Sequence, residues 1–267
     1  MDFLIEPEEV LDKVGRGNAL FIDARKPAEY AAGHISGAVN FSTYDIFALD
    51  TRPEGLKAFA RDMTARYAAI GVTIGRPVVV YEADTGIRAA RDLWILQYLG
   101  HSDVRMLHGG LAAWHAAGGD LGAAVATGTT VALPVRVQPG LVIGCDEIAK
   151  RLGAKGLTLL DVRNADEHAG RDKTACCARR GHIPGSVWIE WTGFLEGGRF
   201  KTPQAIRALL DQRGVNPDSE IVPYCHRGAR SANTYYALKH AGLPKVRNYI
   251  GSWHEWSARS ELPLQRD

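Results

Sequence analysis

An internal duplication is the strongest constraint this sequence places on its fold. Residues 20–39 read LFIDARKPAEYAAGHISGAV, and residues 159–187 read LLDVRNADEHAGRDKTACCARRGHIPGSV. Each holds an apolar run, an Asp-x-Arg, an acidic residue and a Gly-His-Ile-x-Gly turn, with extra residues ahead of the turn in the second copy. Asp23 matches Asp161 and His34 matches His182. Downstream, residues 78–114 match 220–256: Tyr81 aligns with Tyr224, Gly100 with Gly242 and Trp114 with Trp256. Self-similarity over such a span means one unit built twice. A chain of 267 residues accommodates two units of roughly 110–130 residues each.

Within each copy, short β-branched runs alternate with helix-like stretches. Ala19–Ile22, Pro77–Tyr81 and Val104–Leu107 read as buried strands in the first copy; Thr158–Asp161, Ile221–Tyr224 and Val246–Tyr249 do so in the second. Ala89–Leu99, Pro203–Arg213 and Ser231–Ala241 read as helices. The alternation predicts two α/β domains, each a mainly parallel sheet flanked by helices on both faces. We expect them over residues 1–121 and 141–267. The linker between them, 122–140, is rich in small residues and carries Pro134 and Pro139.

Ligands of such sheets sit beyond the carboxyl ends of the strands, so chemistry is expected in the loops after Tyr81 and Tyr224. In the second copy that loop is Cys225-His226-Arg227-Gly228-Ala229-Arg230. In the first it is one residue longer, 82–88, and Glu82 stands in place of the cysteine. A sulfur at a strand-to-helix turn faces N–H groups unpaired at the helix start and about half a positive charge from the helix dipole. His226, Arg227 and Arg230 add donors or cations, so Cys225 is expected to ionise below the free-thiol value of about 8.5. The same cradle suits an anionic substrate, and Gly228 permits the positive φ that a tight anion-holding loop uses. A merely apolar burial of Cys225, common for intracellular cysteine, fits three basic neighbours poorly.

Composition narrows the partners. The 32 basic and 30 acidic residues leave a net charge of +2, which gives no electrostatic case for nucleic acid or an anionic membrane. With 46% hydrophobic and 23% charged residues, the chain is neither disordered nor fibrous. No apolar run reaches the roughly 20 residues of a membrane span, and the acidic start MDFLIEPEEV lacks the regions of a signal peptide. Four cysteines, two of them adjacent, make no disulfide framework. A cytoplasmic protein with reduced thiols is expected.

In this order and duplicated, the motifs Asp-x-Arg, Gly-His-Ile-Pro-Gly, Cys-x-x-Gly-x-Arg and the Gly-Ser-Trp-x-Glu-Trp segment at 251–256 resemble the rhodanese-type sulfurtransferases in their tandem form. The resemblance covers nearly the whole chain. It implies a catalytically inactive first domain, which packs against the second and walls one side of its site. It also implies a ping-pong reaction: Cys225 takes the outer sulfur of thiosulfate as a persulfide, sulfite leaves, and a thiophilic acceptor then removes the sulfur. The partners implied are a small anionic sulfur donor and cyanide, a thiol or a protein thiol, with no metal or organic cofactor. In the family a basic residue two places after the cysteine binds the sulfonate of thiosulfate, the place of Arg227. Gly228 and Ala229 supply backbone to the cradle. Arg230 aligns with Arg88 of the first copy, so its role is in part architectural; His226 either donates to substrate or faces solvent. A monomer is expected.

The pattern departs from the family in one place. Some members carry a second thiosulfate arginine six residues after the Asp of Asp-x-Arg, where this chain has Glu167; Arg171, Arg179 or Arg180 could substitute. Loops of 3-mercaptopyruvate sulfurtransferases resemble Cys-Gly-Ser-Gly-Val-Thr, so the basic loop here points to thiosulfate, with the other donor as the alternative. A phosphatase or arsenate reductase uses Cys-x5-Arg, one residue longer than Cys225–Arg230, and a non-catalytic binding module would lack the cysteine. Residues present in both copies (Asp23/Asp161, Arg25/Arg163, His34/His182, Trp114/Trp256) are expected to be structural, because only one copy has the nucleophile. Trp256 reads as core and Trp253 as a candidate pocket wall. Cys176-Cys177 with His168 and His182 fits no standard zinc spacing; Cys145 is expected at a helix start.

Overall fold

A computed structural model describes residues 3–14, 18–172, 177 and 179–266. They divide into two compact units, one drawn from Met1–Ile46, Ala58–Gln138 and Gly197–Arg199, the other from Phe47–Lys57, Pro139–Glu196 and Phe200–Asp267. No described helix is long and apolar enough to cross a membrane.

In the first unit, β1 (Leu4–Ile5), β2 (Leu20–Asp23), β3 (Val39–Asn40), β4 (Val78–Tyr81) and β5 (Val104–Leu107) form a parallel sheet in the order β1-β5-β4-β2-β3. β2 and β4 are buried at every position. A strand covered on both faces needs apolar residues throughout, which is why these runs do not alternate. The helices α1 (Pro27–Ala31), α2 (Ile87–Tyr98) and α3 (Gly110–Ala116) belong to the same unit. Residues 123–138 hold no regular secondary structure. They are held along the unit by backbone bonds from Val131 to Ala68, Arg136 to Leu99 and Gln138 to Tyr98.

The second unit repeats the plan. Here β6 (Leu157–Asp161), β7 (Val187–Trp188) and β8 (Glu220–Tyr224) pair in parallel in the order β8-β6-β7. Its helices are α4 (Cys145–Lys150), α5 (Ala165–Ala169), α6 (Pro203–Gln212), α7 (Ala229–His240) and α8 (Ser252–Ala258). Cys145 opens α4, fully buried, its N–H donating to Thr51 Oγ1. The strand expected at Val246–Tyr249 is reduced to two isolated parallel bridges, Ile221 with Val246 and Val142 with Asn248. Pro223 explains this. Ile221 N–H donates to Lys245, Arg247 N–H to Ile221 and Tyr249 N–H to Pro223, but Pro223 has no N–H to return, so the ladder is interrupted.

The Asp-x-Arg pairs have the same task in both units. Arg163 grips Asp161 through two nitrogens, at 2.9 and 2.6 Å, and donates to the Gly181 carbonyl at 2.8 Å. Arg25 does the same to Asp23 and to Gly33 at 2.7 Å. Tyr81 and Tyr224 each accept the N–H of the isoleucine in the Gly-His-Ile turn, Ile35 and Ile183. The fork thus pins the turn to the strand ends. Trp114 and Trp256 are core residues whose indole N–H groups reach the Asp120 and Pro263 carbonyls.

Candidate active site

Cys225 follows β8 directly and α7 begins four residues later, so the loop between must turn sharply. Gly228 takes φ 89° to do it, a conformation that favours glycine, and its N–H points back to Cys225 Sγ at 3.0 Å. From the other side, Cys225 N–H donates to Ser252 Oγ at 3.1 Å. Ser252 holds φ 55°, a positive value that no other non-glycine shares among the described residues. Such a backbone costs of order 1–3 kcal/mol and persists where its surroundings over-determine it. Here the neighbouring bonds do so: Trp253 N–H donates to the Cys225 carbonyl at 2.9 Å and His254 N–H to His226 at 3.0 Å. The loop is thereby locked onto the start of α8.

The sulfur is 1% exposed, and burial alone would push its thiol up. The charge of Arg230, then the N–H groups of Ser231 and Arg227, outweigh burial and bring it below the ordinary thiol range. Ser231 and Ser252 hydroxyls stand 3.8 Å from it. Sequence reasoning passed over both serines; the Gly-Ser-Trp segment after the last strand, at the same sheet end, was the available signal for Ser252.

Glu167 has a role that its place in the family pattern conceals. Its carboxylate takes Arg230 through both oxygens, at 2.6 and 2.7 Å. It also closes the capping box of α5, exchanging bonds with Asn164 at 2.9 and 3.1 Å. Arg230 is therefore braced behind the sulfur by an ion pair. Arg227 lays its guanidinium 4.2 Å over the Phe47 ring. His226 is half-buried; burial and the Arg227 charge push its ring down to about 4, so it is neutral at physiological pH.

Beside the loop lies a small open cavity whose lining includes Arg163, Glu167, Cys177, Arg180, His226 and Trp253. Of the three arginines expected to substitute at Glu167, Arg171 pairs with Asp166 at the surface and is not in this lining. Arg179 lines the cavity but donates to the carbonyls of Trp256, Ser257, Arg259 and Leu262. Arg180 lines it and is exposed. His168 and His182 stack at 3.9 Å, their Nδ1 atoms engaged by Asp161 and by the His168 carbonyl. Cys176 lies outside the described residues, while Cys177 stands instead with His226 and His254.

In the first unit, Glu82 occupies the corresponding position. Its Oε1 accepts the N–H groups of Arg88 and Ala89 at 2.7 and 3.0 Å, the bonds a sulfur anion would otherwise draw. Burial pushes this carboxyl up to about 7 from an ordinary 4.5. The folded unit thus holds a proton that the unfolded chain has released, and its stability falls as pH rises through that window. At pH 8 the buried charge costs at most about 3 kcal/mol. Asp92, raised to about 6, adds a parallel slope. We expect Glu82→Gln to raise the urea midpoint at pH 8 and leave it nearly unchanged at pH 4.5. An equal gain at both pH values would contradict this.

Comparison with known proteins adds to this geometry. The rhodanese-like domain family matches residues 6–117 and 145–259. The chain is 31% identical to a thiosulfate sulfurtransferase of Pseudomonas aeruginosa, over 99% of this chain and 97% of that one. It is 32% identical to one of Azotobacter vinelandii with the same coverage, and 31% identical to a 3-mercaptopyruvate sulfurtransferase of Escherichia coli over 91% of this chain and 87% of that one. Among solved structures, the anaerobic ergothioneine biosynthesis enzyme of Chlorobium limicola superposes with a TM-score of 0.85 at 24% identity, over 99% of this chain and 70% of that one; this likeness concerns the fold.

Proposed function

The chain belongs to the rhodanese-like family, and from that premise we propose that it is a thiosulfate sulfurtransferase carrying sulfur as a persulfide on Cys225. The observation that carries this reading is the Gly228 N–H set 3.0 Å from a buried sulfur, with Arg230 behind it. A thiolate there attacks the outer sulfur of thiosulfate. The new S–S bond forms as the old one breaks, and sulfite leaves with the electron pair. The terminal sulfur of the persulfide carries the negative charge, and the loop N–H groups and Arg230 stabilise it as an oxyanion hole stabilises oxygen. An acceptor such as cyanide or a thiol then attacks the terminal sulfur and restores the Cys225 thiolate. Residues 141–267 perform this reaction. Residues 1–121 do not, because Glu82 holds the place of the sulfur. Cys145 and Cys225 lie outside any disulfide, which supports a place in the reducing cytoplasm, where the chain works as a monomer.

The relative named for 3-mercaptopyruvate gives the second reading, and the donor decides between them. With cyanide as acceptor, kcat/KM is expected to be higher for thiosulfate than for 3-mercaptopyruvate. Arg180, exposed at the cavity, takes the sulfonate end that Glu167 cannot. Arg180→Ala should raise the thiosulfate KM about 3–10-fold with little change in kcat. A preference for 3-mercaptopyruvate would move the chain to the other branch, and an unchanged KM would remove Arg180 from the donor site.

A further inference from the structure

Cys177, His226 and His254 bring one sulfur and two ring nitrogens within 4.8 Å of one another. They come from three segments, each anchored nearby. His254 N–H donates to the His226 carbonyl at 3.0 Å, and the two rings meet edge to face at 6.0 Å. Two residues beyond Cys177, Arg179 is tied to four carbonyls, and its own carbonyl accepts the Trp253 indole N–H at 3.1 Å. All three side chains are half-buried, so an ion can reach them.

We propose that Cys177, His226 and His254 form a transition-metal site of the zinc class, with its fourth position open, beside the cysteine loop. A thiolate with two imidazoles is a donor set for zinc and its neighbours, whereas calcium and magnesium require oxygen. Bonds of about 2.0–2.3 Å put tetrahedral ligand atoms roughly 3.3–3.8 Å apart, so closure needs a contraction of about 1 Å, within reach of side-chain rotation. Binding releases the Cys177 thiol proton to solvent. Asp172 and Glu167 line the same cavity and offset part of the surrounding arginine charge; Arg230 is already paired with Glu167. Because His226 is the residue after Cys225, an ion held there competes for the sulfur and constrains the loop, so zinc inhibits sulfur transfer. The site stands independently of the sulfurtransferase reading; only the inhibition rests on it.

Cobalt reports the site without any turnover. The reduced full chain, freed of sulfane sulfur with cyanide, is titrated with Co²⁺ and then with competing Zn²⁺. The expected result is one cobalt per chain, with thiolate charge-transfer absorption and the intense visible bands of tetrahedral Co²⁺, displaced by zinc. Both features persist in Cys225→Ser and Cys176→Ser. Affinity falls at least tenfold in Cys177→Ser, in His254→Ala and in the milder His254→Gln, each with unchanged far-ultraviolet circular dichroism. Absence of a thiolate band in the unaltered chain would overturn the proposal. So would its loss in Cys225→Ser or Cys176→Ser with retention in Cys177→Ser. Zinc inhibition of equal strength in the unaltered chain and His254→Gln would sever the site from the inhibition, whatever the cobalt spectra show.

Discussion

Asp161→Asn is expected to destabilise the second unit by about 3–5 kcal/mol, the cost of leaving a buried charge without its partner. Arg163 is 1% exposed and Asp161 fully buried, so neither can turn to water when the other is removed. Burial alone would push the Asp161 carboxyl up. The Arg163 charge and the His168 hydrogen bond outweigh it and hold the group well below the usual carboxylate range. Its contribution is therefore fully present at neutral pH, begins to fall as acid protonates ordinary carboxylates in the unfolded chain, and is lost as pH drops through the lowered value of the folded state. Asp161 also accepts the Tyr224 hydroxyl at 2.9 Å, so the variant loosens the residue immediately before Cys225. Urea unfolding followed by tryptophan fluorescence measures the loss. A variant as stable as the parent, yet inactive, would mean that Asp161 takes part in the chemistry rather than in the fold.

Arg230→Met is expected to cut sulfur transfer at pH 7 about 10–100-fold and to move the acid limb of the pH–rate profile upward. The sign follows from charge. Arg230 is the foremost influence holding the Cys225 thiol down against burial, so its removal raises the thiol and lowers the thiolate fraction at neutral pH. The abandoned Glu167 carboxylate, 11% exposed, adds a negative charge near the sulfur. Adding Glu167→Gln to Arg230→Met should recover part of the rate. Rates that fall equally at every pH would show that Arg230 only shapes the loop.

Much of this was legible in the chain because the relevant signals are local. Strand, cysteine, glycine and helix lie within one short stretch, so the Cys225 loop and the need for Gly228 could be read directly. The duplication located its counterpart at Glu82. The interrupted edge at Val246–Tyr249 was also written in the sequence, in Pro223, but apolar periodicity says nothing about a missing donor on the neighbouring strand. What could not be read are contacts between distant segments. Glu167 and Arg230 are 63 residues apart, and nothing in either segment announces the ion pair that turns an apparent departure from the family pattern into a brace for the loop. The Cys177–His226–His254 cluster is of the same kind. Adjacent cysteines drew attention to Cys176-Cys177 and the nearby His168 and His182, yet those two rings stack on each other and the fold carries Cys177 to different histidines.

Whether Cys225 carries the sulfur is read from the intact mass of the purified chain. The chain is stripped with cyanide, exposed to thiosulfate, desalted and weighed beside Cys225→Ala, then treated with cyanide again. The unaltered chain is expected to gain one sulfur atom and the variant none, and cyanide is expected to remove that sulfur as thiocyanate. A gain that persists in Cys225→Ala would place the sulfur on another residue, and no gain from either thiosulfate or 3-mercaptopyruvate would contradict a persulfide mechanism.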